Sequence, residues 1–150
     1  MHPFPHRYSV SAAANVDTDV TLDGPQLPTL RSAPPKEFDG PGDRWSPETL
    51  LVAAVADCFV LTFRAIAQAS KLPWVSLTCD VDGTVDRVER VTQFTGFVVR
   101  VHLRVPAGAD AAQAQRLLVK AEQSCLVTNS LRGAAHLEAA VEVMPPSRTS

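Results

Sequence analysis

Three cysteines are the residues of this 150-residue chain with the clearest chemical potential, and their local contexts differ. Cys79 lies on the apolar side of an alternating, strand-like segment, which predicts a small buried side chain. Cys58 lies among apolar residues in a long apolar stretch, where an inert buried thiol is the ordinary interpretation. Cys125 ends a predicted helix and precedes small polar residues, which makes it the more accessible thiol. These contexts alone favour Cys125 as a reactive group.

Other residue types offer little catalytic chemistry. His2 and His6 lie near the N-terminus, and His102 and His136 lie on strand faces, without the spacing of metal ligands. The sequence has no Cys-x-x-Cys pair, no glycine-rich phosphate loop after a strand and no nucleophile-elbow motif. The sequence therefore indicates neither a metal site nor a bound nucleotide, and no motif supports a hydrolase triad, which composition alone does not exclude.

Composition places the chain among ordinary globular proteins. Hydrophobic residues make up 45% and charged residues 20% of the sequence, which is typical of a globular protein, and the length of 150 residues predicts a single domain over residues 1–150. The net charge of -2, without a cluster of Lys or Arg, predicts no nucleic-acid partner. Three cysteines are too few for a disulfide scaffold, and Met1–Arg7 has no apolar run typical of a signal peptide. We therefore expect a cytoplasmic protein.

One stretch, Leu50–Ala69, is apolar nearly throughout and raises the question of a membrane span. Asp57 and Arg64 interrupt it centrally, where a charge in lipid is costly, so a buried helix is the better interpretation. We expect this helix to run from Pro47, after Ser46 as N-cap, to about residue 70. Its apolar residues cover most of its circumference, which predicts burial on nearly all sides, by a partner subunit as well as a sheet.

Alternating apolar and polar residues predict strands on either side of this helix. The predicted strands and their long connecting loop are Tyr8–Ala14, Asp19–Leu22, Leu30–Ala33, the loop Lys36–Trp45, Ser76–Val88, Phe97–Val105 and Leu137–Val143. A second helix, capped by Asp110, should run to about Gln123, and Thr128–Leu131 adds a short turn. This order predicts an α+β fold, a curved antiparallel sheet wrapped around one long helix.

Two long motifs resemble the signatures of a known family. The segment Ser46-Pro-Glu-Thr-Leu-Leu-Val-Ala-Ala-Val-Ala-Asp-Cys-Phe59 resembles the first signature of the OsmC/Ohr family, a Pro-Glu pair followed by an Ala-rich helix and Cys-Phe. The segment Ser124-Cys-Leu-Val-Thr-Asn-Ser-Leu131 resembles the second signature. The resemblance extends from about Phe38 to Val143 and agrees with the order of predicted elements.

The resemblance implies a thiol peroxidase that reduces organic hydroperoxides without metal or flavin, built as an intertwined homodimer with two interfacial active sites. It implies that Cys58 is the peroxidatic cysteine, Cys125 the resolving cysteine and Glu48 the acid of the site. The Cys58 thiolate would be oxidised to a sulfenic acid, with which Cys125 would condense to a disulfide. An external dithiol, a lipoyl group in relatives, would restore both thiols.

A cation is expected to activate Cys58, because this residue lies about three turns inside its helix, where the helix dipole helps little. Relatives use an Arg held by the glutamate, and the nearest aligned position here is Lys36 or Glu37. The candidate cations are Arg31, Lys36, Arg44 and Arg64. We prefer Arg44, because its loop leads directly into Glu48, whereas Arg64 shares a helix face with Asp57.

The position of Glu48 leaves three interpretations open. Ten helical residues separate Glu48 from Cys58 by roughly 15 Å, so the two side chains cannot touch on a straight helix. Glu48 serves the site of the other subunit, acts through a long cation, or only stabilises the first helical turn. Asp57 would raise the pKa of the adjacent thiol if it pointed the same way, although successive helical residues diverge by about 100°.

Three aromatic residues, Trp45, Phe59 and Phe63, are candidates to line an apolar substrate pocket, with core packing the simpler role for Phe63. A second function of a different class stays open. On the same scaffold, a non-enzymatic module could bind a hydrophobic small molecule at the dimer interface. The peroxidase needs Cys58 and Cys125 close together and oxidisable, whereas the binding module would tolerate their replacement by serine.

Overall fold

Two three-stranded sheets and the helices between their strands make up the computed structural model, which describes residues 1–147. The elements in chain order are β1 (Ser11–Ala13), β2 (Val20–Asp23), β3 (Leu30–Ser32), α1 (Pro47–Ala69), β4 (Ser76–Val88), β5 (Val91–Val105), α2 (Ala111–Ser124), α3 (Leu126–Asn129) and β6 (Ala134–Val143). The predicted α+β class is confirmed. The chain divides into two compact units, residues 1–51 and the residues from Val52 onward, and each is described by itself.

The first unit contains the antiparallel sheet β1-β2-β3. Its first strand is shorter than the predicted Tyr8–Ala14, because β2 has four residues and offers partners only to Ser11–Ala13. Within residues 1–51 the buried side chains are small, namely Ser32, Ala33 and Ser46. Several large apolar side chains of this unit are instead exposed, among them Tyr8, Val10, Val16 and Leu27.

The long helix α1 begins and ends where the sequence predicts. The Ser46 Oγ accepts a hydrogen bond from the Thr49 backbone N–H (3.1 Å), and the Thr49 Oγ1 accepts one from the Ser46 N–H (2.8 Å). This reciprocal cap satisfies donors that no helical carbonyl can reach. At the other end the Leu72 N–H donates to the Ala67 carbonyl (2.9 Å), with Lys71 in the left-handed conformation, φ 55°.

The strands β4 and β5 form a long antiparallel hairpin in the second unit. The turn between them has Glu89 and Arg90 at φ 50° and 69°, in the region where the sequence predicts the turn. Gly83 in β4 lies under α1, since a Cβ atom there would come within 2.8 Å of the Val52 Cγ2. Glycine at this position therefore allows the helix to approach the sheet closely.

The last strand differs in direction from the predicted antiparallel sheet. β6 pairs with β5 in parallel, from Gly96↔Ala134 to Val105↔Val143. The connection through α2 and α3 is long enough to return the chain to the same end of the sheet, as a parallel pairing requires. The predicted N-cap of α2 is confirmed, because the Asp110 carboxylate accepts a hydrogen bond from the Gln113 N–H (3.1 Å).

The core of the second unit lies between one face of α1, the strand β5 and the apolar face of α2. The buried residues of α1 recur every four positions, Val55, Phe59, Phe63 and Ala67. α1 is long and apolar enough to cross a membrane by length and composition. Only 22% of its most apolar stretch is buried in this chain. Burial on nearly all sides, predicted from sequence, is therefore not reached within one chain, and Leu61 is 46% exposed.

Candidate active site

The tertiary structure brings Cys58 and Cys125 together. Cys58 lies half-buried on α1, and Cys125 is buried, 1% exposed, at the junction of α2 and α3. Both thiols are free, and the Cys125 S–H donates a hydrogen bond to the Cys58 sulfur. Two cysteines that are 67 positions apart in the sequence thus form one local pair.

The start of α3 supplies further donors to Cys58. Cys125 occupies the N-cap position with an extended backbone, and its carbonyl accepts the Asn129 N–H (3.0 Å). The first N–H groups of a helix have no helical acceptor, so they are free to bind other groups. Here the backbone N–H groups of Val127 and Leu126 hydrogen-bond to the Cys58 sulfur.

The neighbouring turn of α1 provides one more contact. Thr62 lies four residues after Cys58, hence one helical turn away on the same side. Its hydroxyl oxygen lies 3.8 Å from the Cys58 sulfur, within hydrogen-bonding distance for sulfur. The Cys58 thiol therefore has donors from α1, from α3 and from Cys125.

These contacts set the pKa of Cys58. Burial is the largest single influence and raises the pKa of the thiol, because a thiolate loses hydration. The hydrogen bonds from Val127, Cys125, Thr62 and Leu126 together outweigh burial, so the pKa of Cys58 lies below its usual value. A lower pKa means more thiolate at neutral pH, and the thiolate is the reactive form.

The pKa of Cys125 moves in the opposite direction. Burial raises it, and the adjacent Cys58 raises it further, although hydrogen bonds from Thr128 partly offset these effects. Cys125 is therefore a protonated partner that can donate its hydrogen to the Cys58 thiolate. The two pKa values therefore differ in the way expected for a pair in which one thiol is a nucleophile and the other reacts later as a thiol.

Cys79 is the least reactive of the three cysteines. Burial raises its pKa to about 11, and electrostatic interactions with the neighbouring Asp80 and Cys125 act in the same direction. This agrees with its predicted position on the apolar side of β4, where it packs against the core. Cys79 is a natural control for the chemistry of the other two.

None of the candidate cations is among the groups that influence the pKa of Cys58. Arg44 forms ion pairs with Asp19 (3.0 Å) and Asp43 (3.6 Å), all within the first unit. Arg31 lies with Arg44 beside a cavity of 310 Å³, which Trp45 also lines. Among residues 1–147 no ion pair joins Arg64 to Asp57, and both side chains are exposed. The groups that shift the pKa of Cys58 most are backbone amides, a hydroxyl and a thiol, in addition to burial.

Glu48 has an unusual environment in the first turn of α1. Its Oε2 atom is buried and accepts no hydrogen bond from residues 1–147. Glu48 also lines a cavity of 290 Å³ whose other walls are mainly apolar: Val20, Ser32, Ala33, Pro34, Pro35, Phe38 and Pro47. A buried oxygen without a donor is costly, so this carboxylate is suited to a positively charged or hydrogen-bonding group.

The aromatic candidates separate into core and surface residues. Phe59 and Phe63 are 1% and 0% exposed, and Phe63 stacks edge-on against Trp74 with ring centroids 5.7 Å apart. Both side chains thus belong to the core of the second unit. Trp45 is 47% exposed and lies in the first unit.

Sequence reasoning did not identify Thr62 or the amides of Leu126 and Val127. The spacing of four residues between Cys58 and Thr62 is visible in the sequence and could have indicated a contact. The contact with α3 leaves no sequence signal, because it depends on how two distant segments pack. Within residues 1–147 no cluster of three His, Cys, Asp or Glu side chains could hold a metal ion.

Replacing Thr62 with valine tests the hydroxyl contact. Valine keeps the shape but removes the donor, so the pKa of Cys58 should rise and its thiolate fraction at pH 7 should fall. We expect iodoacetamide to alkylate Cys58 about two- to five-fold more slowly at pH 7, since such a hydrogen bond contributes about 0.5–1 kcal/mol. The midpoint of the rate against pH should move to higher pH, and Thr62→Ser should restore the native profile. Unchanged profiles in both variants would show that the hydroxyl has no influence on the thiol.

Comparisons with known proteins agree with the fold. Residues 40–140 match the family model of OsmC-like proteins. The chain is 33% identical over 119 residues to an organic hydroperoxide resistance protein of Xanthomonas axonopodis, covering 79% of this chain and 78% of that protein. It is 31% identical over 107 residues to the protein YmaD of Bacillus subtilis, covering 69% and 71%. This chain belongs to the OsmC-like family.

The fold agrees with solved structures at lower sequence identity. An OsmC-like protein of Vibrio cholerae superposes with a TM-score of 0.83 at 17% identity, covering 91% of this chain and all of that one. The predicted OsmC-like architecture is thereby confirmed. The apolar helix α1 is the long helix of a soluble OsmC-like fold.

Proposed function

We propose that this protein is a thiol peroxidase that reduces organic hydroperoxides. The observation that carries the proposal is the contact between Cys58, whose pKa is lowered, and Cys125, whose pKa is raised. This arrangement supplies a thiolate and a second thiol within bonding reach, as a two-cysteine peroxidase needs. The relative from Xanthomonas axonopodis, an organic hydroperoxide resistance protein, supports the same assignment.

The first step is attack by the Cys58 thiolate on the outer oxygen of the hydroperoxide. The sulfur–oxygen bond forms as the oxygen–oxygen bond breaks, so the sulfur is oxidised by two electrons and the peroxide is reduced. The alkoxide leaves and takes up a proton to become an alcohol. Cys58 is then a sulfenic acid.

The second step joins the two cysteines in a disulfide. The Cys125 sulfur attacks the sulfenic sulfur, water leaves, and a Cys58–Cys125 disulfide forms. An external dithiol of the lipoyl type then reduces this disulfide by thiol–disulfide exchange and is itself oxidised to a disulfide. The contact between the two thiols supports this step, because disulfide formation requires Cα atoms within roughly 7 Å.

The remaining site residues have supporting roles in this proposal. Glu48 is the acid of the site, and its buried Oε2 binds a cation, with Arg44 as the preferred candidate and Arg31, Lys36 and Arg64 as the others. Trp45 borders the route of the substrate, while Phe59 and Phe63 pack in the core of the second unit. The protein acts in the cytoplasm as a homodimer of single-domain subunits, without a metal or flavin.

The exposed apolar surfaces support the homodimer. Large apolar side chains of the first unit and one face of α1 are uncovered in the isolated chain. Apolar surfaces of this kind are characteristic of interfaces. In an intertwined dimer a second copy would cover them, and each site would lie at the interface.

Peptide mass spectrometry after one equivalent of cumene hydroperoxide tests the proposal on the reduced protein. We expect rapid formation of a Cys58–Cys125 disulfide, release of one equivalent of cumyl alcohol, and recovery of both thiols with dihydrolipoamide. Thiols that stay reduced would contradict the peroxidase and favour the binding module for a hydrophobic molecule. The apolar cavity beside Glu48 would then be the first place to look for that ligand.

A further inference from the structure

Thr128 and Asn129 hold the backbone of Cys125 in place, and neither has a role in the two reaction steps described above. The Cys125 carbonyl accepts two hydrogen bonds, from the Thr128 Oγ1 (3.1 Å) and from the Asn129 N–H (3.0 Å). The Asn129 Nδ2 donates a third hydrogen bond, to the carbonyl of Gln123 (3.2 Å). We call Thr128 and Asn129 the clasp.

Cys125 lies where the chain turns from α2 into α3. It ends the first helix and precedes the second, with an extended backbone at φ -67° and ψ 112°. The direction of its sulfur therefore depends on the dihedral angles of this one residue. The Cys125 N–H reaches the Glu122 carbonyl at 3.4 Å, which is long for such a bond, so the shorter bonds of the clasp hold the turn.

Asn129 connects the two sides of this turn. Its side chain binds a carbonyl in the last turn of α2, where helical donors are lacking, while its N–H binds the carbonyl of Cys125. The Asn129 side chain is exposed, so its polar contacts, and not burial in the core, explain its position. Removing this side chain should loosen the turn without disturbing the core.

Thr128 acts on the sulfur of Cys125 as well as on its backbone. Burial raises the pKa of Cys125, whereas the Thr128 hydroxyl and N–H lower it. A hydroxyl rotates to suit its acceptor, so the Thr128 proton can serve the carbonyl in the thiol form and the sulfur in the thiolate. The titratable neighbours are thiols too: Cys58 on α1 raises the pKa of Cys125, and Cys79 on β4 interacts with it electrostatically. The clasp thus favours ionisation of a thiol that its other surroundings keep protonated.

We propose that the clasp positions Cys125 for its attack on the Cys58 sulfenic acid and sets how fast the disulfide forms. This inference rests on the peroxidase proposed above. The sulfur–sulfur bond forms as the sulfur–oxygen bond breaks, Cys125 is oxidised, the sulfenic sulfur is reduced, and hydroxide leaves with the proton of Cys125 as water. The two sulfurs must approach from contact to about 2 Å, so a fixed turn speeds the step. A slow step would expose the sulfenic acid to a second peroxide, which yields the sulfinic acid.

A disulfide reagent tests the clasp without any peroxide. The Cys58 thiolate attacks one equivalent of dithiodipyridine, forms a mixed disulfide and releases one thiopyridone, and Cys125 then attacks the Cys58 sulfur and releases the second. All chains carry Cys79→Ser, so that only the pair reacts. We expect Asn129→Ala and Thr128→Val each to slow the second release about five-fold and to keep the first within about two-fold of its native rate.

The same variants should be more easily overoxidised by cumene hydroperoxide. We expect about five-fold more sulfinic acid at Cys58 per turnover by mass spectrometry, because the sulfenic acid persists longer. Thr128→Ser should restore both measurements, since serine keeps the hydroxyl. Thr92→Val on β5 and Gln115→Ala on α2 change exposed side chains outside the clasp and should behave like the native chain.

Circular dichroism checks that each variant is folded. A second release that is unchanged in either variant would overturn the proposal. Equal slowing of both releases would also overturn it, because a general loosening of the site would then explain the result. A native chain that consumes no hydroperoxide, but whose second release slows in the variants, would count against the peroxidase and leave the clasp standing.

Discussion

Cys58→Ser is expected to abolish hydroperoxide consumption, with a loss of at least about 10³-fold in kcat/KM. A serine hydroxyl does not ionise near neutral pH, so the nucleophile held by the amides of Leu126 and Val127 is removed. The measurement is consumption of cumene hydroperoxide with dihydrolipoamide as the reductant. Because Cys58 is half-buried and serine is similar in size, the melting temperature should change little.

Cys79→Ser is the matched control for this result. Cys79 has a pKa raised to about 11 and packs against the core, so its thiol should not take part in turnover. We expect this variant to retain most of the native activity. Equal losses in Cys58→Ser and Cys79→Ser would point to a general effect of cysteine removal, and the assignment of the nucleophile would be wrong.

Cys125→Ser is expected to separate the two halves of the reaction. The first turnover should proceed at a near-native rate, since the Cys58 thiolate keeps its backbone donors and Thr62. Steady-state turnover should fall by about 10²-fold or more, because an external thiol must replace one that is held in place. Dimedone should trap a sulfenic acid at Cys58, and excess peroxide should drive it to the sulfinic acid.

Because Cys125 also contacts Cys58, replacing it can change the Cys58 thiol itself as well as the resolving step. The Cys125 S–H also donates to the Cys58 sulfur, and its burial leaves little room for change. Cys125→Ala therefore accompanies Cys125→Ser, because serine can still donate a hydrogen bond and alanine cannot. If both variants keep full steady-state turnover without overoxidation, Cys125 is not the resolving cysteine.

The helix α1 and its boundaries were predictable from the sequence. A capping residue, a proline and a second proline after the last turn act within a few residues, so their effect does not depend on the rest of the fold. The observed span Pro47–Ala69 agrees with the prediction. The strand β4, Ser76–Val88, was predicted with its full bounds because alternation persists over 13 residues.

The short strands and the direction of β6 were less predictable. β1 has three residues because a partner strand, and not its own sequence, limits its length. β6 alternates like any half-buried strand, and this pattern is the same for parallel and antiparallel pairing. Its parallel direction depends on the end of the sheet to which α2 and α3 return the chain.

The site itself divides in the same way. The sequence alone indicated Cys58 and Cys125 as the candidate residues of the site, because the two motifs that resemble the family signatures are local. Only the tertiary structure decided that these thiols touch, that the amides of α3 and the Thr62 hydroxyl face Cys58, and that the pKa values of the pair diverge. The physical reason is that residue types and short spacings are local properties, whereas burial and hydrogen bonding between α1 and α3 arise from packing of segments far apart in the chain.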